Sequence, residues 1–265
     1  MALTFENPPL LEIIAELRWA APLAAQGIPL PVMPEQGAPY DGAFMSFAAK
    51  VGALGYERVE RLVPYGFPLM PHEPTVRLRP KAGVQDSTLF QIGPNMFSAN
   101  ATPPYKSWDE FSPKVKQGVN ALFESRIEKD ISSPVFVSLR YIDAFRDDLT
   151  KGKPSIDFLS EALGIRLEIN DAISGQCVAD KKITPSLQLV VPISFGTMTV
   201  SFAEGQVDQS AAIIMDTTVA LKNPIEPNVE LVMNGFGQAR QVIHDVFVKL
   251  TKNIDHLMKP RGVEE

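Results

Sequence analysis

VFVSLRYIDAF, Val135 to Phe145, stands near the middle of a chain of 265 residues and reads as a long β-strand. It has a counterpart in LLEIIAELRW, Leu10 to Trp19, where Leu17-Arg18-Trp19 matches Leu139-Arg140-Tyr141 after a shift of 122 positions. In the earlier segment Leu11, Ile13, Ala15, Leu17 and Trp19 alternate with Glu12, Ile14, Glu16 and Arg18, which predicts one core face and one half-polar face.

Outward from these two strands, each half repeats one order of signals. Asn7-Pro8-Pro9 fixes an extended approach to the first strand. A proline-punctuated loop follows (Pro22, Pro29, Pro31, Pro34, Pro39), read as a wrapping surface connection or, more sharply, as a polyproline ligand for a partner's groove. Phe44, Phe47, Ala48, Val51 and Leu54 then predict an amphipathic helix over 42–54. Four short strands are expected at 56–63, 75–79, 88–92 and 95–101, with Gly93-Pro94-Asn95 turning the last hairpin. A helix opens at Ser107, with Glu110 at capping-box spacing, and runs to 123.

After the central strand, the second half offers a helix at 155–163 capped by Ser155. Strands follow at 165–173, 186–193, 197–203 and 211–221, with Glu204-Gly205-Gln206 in the last connection. Leu231 to Leu257 then form one long helix, ended by Pro260. The equivalent helix starts, Ser107 and Asn228, lie 121 positions apart, close to the strand offset.

The expected fold is therefore α+β. Two βαββββα repeats, residues 1–131 and 132–265, form one curved antiparallel sheet around a pseudo-twofold axis with helices on one face, a saddle like that of the TATA-box-binding-protein folds.

Composition narrows function by exclusion. Apolar residues are 45% and charged residues 21%, ordinary values for a globular protein. A net charge of −6 and a pI near 5.2 disfavour nucleic acid as a partner, since no basic stretch offsets them. A single cysteine, Cys177, excludes a disulfide framework. No apolar run reaches membrane-spanning length, and the start of the chain lacks a basic, apolar leader, so a cytoplasmic location is expected.

Asn7-Pro8-Pro9-Leu10, Glu16-Leu17-Arg18-Trp19, Phe90-Gln91-Ile92-Gly93, Tyr105 with Trp108, Leu139-Arg140-Tyr141-Ile142 and the Asp216 strand before a long terminal helix resemble an uncharacterised, sporadically distributed bacterial family. Its members typically carry Asn at the position of Asp143. The resemblance implies bacterial origin and supplies no catalytic residue.

Arg18, Arg140 and Asp216 are the strongest site candidates. A guanidinium in mid-strand needs carboxylate or carbonyl partners, so the three form either a structural ion pair or an anion site. Trp19, Phe97, Trp108 and Tyr141 are core aromatics or the lining of a pocket between sheet and helix. Asp143, Asp147 and Asp148 read as a solvated turn more readily than as a magnesium site. Gly235-Phe236-Gly237 falls inside a helical pattern and reads as a close-packing point. No metal-site, nucleotide-loop or nucleophile-elbow pattern is present, and no cofactor is implied. The expectation is a noncatalytic interaction protein with a protein partner, an accessory or regulator of a bacterial defence or toxin–antitoxin system, with homodimerisation plausible. A binding module for a small apolar or anionic ligand and a nucleic-acid saddle are the alternatives.

Overall fold

Leu10–Trp19 (β2) and Val135–Phe145 (β7) pair antiparallel in the middle of the molecule, Ile14 opposite Arg140 and Glu16 opposite Ser138. The computed structural model describes residues 4–20, 30–84, 86–104, 107–178 and 181–261. Pro22, Pro29 and Tyr105 of the sequence reading lie outside them. The element order begins with β1 (Thr4–Phe5), β2, α1 (Ala38–Gly52), β3 (Arg58–Arg61), β4 (Val76–Arg79), β5 (Thr88–Gly93), β6 (Met96–Ala101) and α2 (Trp108–Phe123). It continues with β7, α3 (Asp147–Thr150), α4 (Ser155–Glu161), α5 (Asp171–Ser174), β8 (Leu187–Ile193), β9 (Gly196–Val207), β10 (Ser210–Leu221), α6 (Val229–Leu250), α7 (Asp255–Met258) and β11 (Pro260–Arg261). Nine strands form one antiparallel sheet in the order β3-β4-β5-β6-β2-β7-β10-β9-β8, and β1 pairs with β11 in a separate ribbon.

The strand alternation assigns every side chain to a face. Leu17, Phe97, Phe90, Val137, Val219 and Val200 share one face, against which α1, α2 and α6 pack to make a continuous core. Phe47 of α1 meets Phe90 and Phe97 edge-on, at centroid distances of 6.2 and 5.8 Å. Gly118 lets α2 approach the same rings, and Gly235 lets α6 approach Val137. The opposite face of the sheet bears no helix among the described residues. No described helix is long and apolar enough to cross a membrane.

Several expectations need correction. No strand forms over 165–173: residues 165–170 have no regular structure and pair with no strand, although Ile165 and Leu167 pack against the core, and Asp171–Ser174 form α5. Among the described residues the second half thus adds three strands to the main sheet after its helix, where four were expected. Period-two alternation reports an extended chain with one covered side; it does not specify a ladder partner. Glu204, Gly205 and Gln206 lie inside β9, and the turn is Asp208-Gln209, both in left-handed backbone. Gly205 is there because a Cβ would stand 2.8 Å from Ile214 Cγ1.

The final helix breaks at Thr251, whose buried hydroxyl donates to the Phe247 carbonyl at 2.8 Å, while Asn253 Nδ2 donates to Glu161 O. α6 is therefore 22 residues, a rod of about 33 Å. Pro39 belongs to the first turn of α1, where its missing N–H costs nothing. Ser155 does not cap α4; its hydroxyl donates to Glu204 Oε1 at 2.6 Å. Ser107 and Asn228 do cap α2 and α6.

Gly118→Ala sets helix propensity, a gain of about 1 kcal/mol, against a Cβ placed 2.6 Å from Phe90 Cε1 and 2.8 Å from Phe97 Cζ. Both rings are fully buried, so the overpacking dominates. A net loss of about 1–2 kcal/mol is expected from urea unfolding; a stabilised variant would show that α2 can lift off the sheet.

Candidate functional site

The helix-free face of the sheet collects the charged residues named from sequence. Arg140 and Asp216 sit diagonally on β7 and β10, since Arg140 faces Thr218 and Asp216 faces Ile142. Arg140 Nε donates to Asp216 Oδ1 at 2.9 Å and Nη2 to Oδ2, a two-pronged pair. That bond, with the charges of Glu12 and Glu16, raises the Arg140 pKa further despite partial burial. Arg18 takes Glu16 on its own strand, Nε to Oε1 at 2.8 Å. Each arginine is thus engaged by its own carboxylate. They line a cavity of about 300 Å³ with Glu16, Ser138, Ser201 and Asp216.

The polar seam continues across the first half. Asn100 Nδ2 donates to Glu12 Oε1 at 2.7 Å, and Ser98 Oγ donates to Asn100 Oδ1 at 2.8 Å. The Gln91 amide oxygen accepts from Arg77 Nη2 at 3.1 Å and Nε at 2.9 Å, the orientation in which both ends of the amide find partners. Arg77 Nη1 reaches Glu60 Oε2 at 3.3 Å. Acids and bases alternate along this face, a charge pattern unsuited to tracking phosphates.

Trp19 and Tyr141 lie apart along the central ladder. Trp19 pairs with Val135 and Tyr141 with Ile13, six residues apart along β2, or roughly 20 Å. Trp19 Nε1 donates to the buried Asp130 at 2.8 Å, with the Arg126 guanidinium 4.6 Å from its ring. Phe97 is in the core beneath Gly118, and Trp108 packs on Phe111. The three aspartates separate as well. Asp143 is buried on the helix-bearing face beside Leu10 and Met215, whereas Asp147 and Asp148 are exposed on α3, and Asp148 accepts from Asn7 Nδ2. Cys177 is exposed, and His244 and His256 lie on separate helices.

Sequence reasoning missed a second surface. Pro31-Val32-Met33-Pro34 and Pro68-Leu69-Met70-Pro71 share the pattern Pro-aliphatic-Met-Pro, and the structure bonds them together. Val32 N donates to Leu69 O at 2.8 Å and Leu69 N to Val32 O at 2.9 Å. Val32 and Leu69 point inward, at 8% and 3% exposure, while Met33 and Met70 point outward, at 45% and 47%. Leu30, Tyr65 and Phe67 extend this apolar surface, and Arg61 stacks 3.7 Å from the Tyr65 ring. The second arm is tied to the β5–β6 turn by His72 N donating to Pro94 O. The repeated tetrapeptide was the available signal; pairing between two loops 37 positions apart was not.

No protein-family model, curated protein or solved structure matches the chain.

Two predictions concern the charges. Asp216→Ala removes a pair whose side chains are 46% and 26% exposed, and is expected to cost under about 1 kcal/mol. Asp130→Ala strands the Trp19 N–H beside a buried guanidinium and is expected to cost about 3 kcal/mol. Equal urea midpoints for the two variants would contradict this ranking.

Burial, reinforced by the Asp216 charge, pushes the Asp143 carboxyl up to about 7. The folded chain then keeps a proton that the unfolded chain releases at about pH 4, so stability falls as pH rises from about 4 to about 7 and levels off above. Asp143→Asn lacks this decline and should gain on the parent by on the order of 2 kcal/mol between pH 5 and 8. A pH-independent difference between the two proteins would place Asp143 in contact with water.

Proposed function

We propose that the chain is a noncatalytic interaction protein that docks a protein partner on the surface built from the two Pro-aliphatic-Met-Pro arms. The observation that carries this reading is the exposure of Leu30, Met33, Tyr65, Phe67 and Met70 together on loops stiffened by proline and by a reciprocal backbone bridge. Apolar side chains displayed on a preorganised frame lose little entropy on binding. Met and aromatic residues are the types enriched at the centres of interfaces. Glu35 and Glu73 are exposed on the same loops, so the fitting partner has an apolar centre and a basic rim. The same acids disfavour an anionic membrane surface. The family likeness adds a setting, an accessory or regulator in a bacterial defence or toxin–antitoxin system.

Within the same proposal, the two halves are copies of one unit arranged as a saddle. Arg18 pairs with Met96 and Arg140 with Thr218, and Leu17 pairs with Phe97 and Leu139 with Val219. In every case both members shift by 122 positions. The pseudo-twofold axis then passes through the Glu16–Ser138 pair.

The test is recovery of a stoichiometric partner from the native host by the parent chain and by a Phe67→Ser, Met70→Ser variant in parallel. The expected outcome is a partner bound by the parent and lost from the variant, with unchanged thermal unfolding. Retention of the partner by the variant, or no partner at all, overturns the reading.

A further inference from the structure

The two edges of the nine-stranded sheet differ in kind. β3, at one edge, is four residues long and carries Arg58, Glu60 and Arg61, the short, charged form that resists pairing with another chain. β8, at the other edge, is seven residues long, LQLVVPI, with no charge and with Leu189, Val190 and Val191 exposed at 40%, 62% and 37%. Between α4 and β8 the chain occupies the position that β3 holds between α1 and β4. Residues 165–170 form no strand there, and β8 has no second neighbour among the described residues.

The hydrogen-bonding side of that edge follows from the β8–β9 hairpin. Ile193 and Gly196 close a two-residue turn and so form a hydrogen-bonded pair, as do Val191 with Met198 and Leu189 with Val200. Gln188, Val190 and Pro192 therefore direct their backbone groups away from the sheet. Pro192 has a carbonyl to offer and no N–H, which is why proline is tolerated at this edge.

Read antiparallel against itself about Val190, this edge is self-complementary. The two Val190 residues exchange both backbone hydrogen bonds. Each Gln188 N–H meets the other strand's Pro192 carbonyl, and the missing proline N–H falls at the outer end. On the helix-bearing face Leu189 lies opposite the second strand's Val191, and on the other face Val190 lies opposite Val190, so every exposed apolar side chain of the edge meets another. No like charges oppose one another anywhere along it.

We propose that β8 pairs with β8 of a second copy of this chain, antiparallel and centred on Val190, joining two nine-stranded sheets into one about a twofold axis. This pairing is independent of the Met–Pro surface, which lies beyond the opposite half of the sheet, and each can fail without the other. Sedimentation velocity of the full chain from about 1 to 200 µM should show a concentration-dependent monomer–dimer equilibrium. Val190→Lys, at a site already largely exposed, sets two ammonium groups face to face and should raise the dimer dissociation constant by roughly tenfold or more without changing the circular dichroism spectrum. In a Cys177→Ser background, Val190→Cys should cross-link under mild oxidation, since directly opposed Cα atoms about 5.5 Å apart fall within disulfide reach. Arg58→Cys, on the opposite edge, should not. A monomer across the whole range, a dimer indifferent to Val190→Lys, or preferential cross-linking through Arg58→Cys each overturns the proposal.

Discussion

Pairing of β2 with β7 is the contact on which the rest of the molecule depends. Among the described residues it is the ladder that joins the two halves of the sheet, and along β2 it buries Ile13, Ala15 and Leu17 while Ile14 and Glu16 face the helix-free side. A slip of one residue would carry Ile13, Ala15 and Leu17 onto the helix-free face and bury Glu16 and Arg18 beneath α1, α2 and α6. The desolvation of those charges, with the loss of several fully buried apolar side chains, rules out the one-residue slips to either side of the observed register.

Given that register, the helix-free face acquires its character. Polar residues from β4, β5, β6, β2, β7 and β10 come into line, and nearly every charge there finds an opposite charge or an amide within hydrogen-bond reach. A face whose charges satisfy one another has little left to offer a ligand. Met33 and Met70 of the Pro-aliphatic-Met-Pro arms and Val190 of the β8 edge, in contrast, are apolar and largely exposed. The two proposed contact surfaces both lie away from this charge-paired face.

Much of this was legible in the residues because local chemistry decides it. The alternation in Leu10–Trp19, the Ser107 cap and the Pro94-Asn95 turn each reflect short-range geometry. What escaped depends on partners distant in sequence. Residues 165–170 alternate as a strand does, but nothing in them says whether a neighbour accepts the ladder. Thr251 looks like one more helical position until Asn253 is found bonded to Glu161 on α4. Trp19 and Tyr141 look like members of one aromatic cluster until the register places them at opposite ends of the same pair of strands. Asp143 reads as part of a wet acidic turn, and only the sheet shows that its side chain points into the core.

The position of the β2–β7 ladder has a kinetic consequence. Hairpins β5–β6, β8–β9 and β9–β10 close over two-residue turns and need almost no chain to be ordered first. The central ladder joins segments more than a hundred residues apart, so its loop-closure entropy is met only once both halves have begun to condense. Folding of this chain should accordingly be limited by the encounter of two partly built half-sheets, each transiently presenting its inner strand, β2 or β7, as a bare edge. Mutations confined to that seam should slow refolding more than they hasten unfolding, whereas changes in the peripheral hairpins should do the reverse.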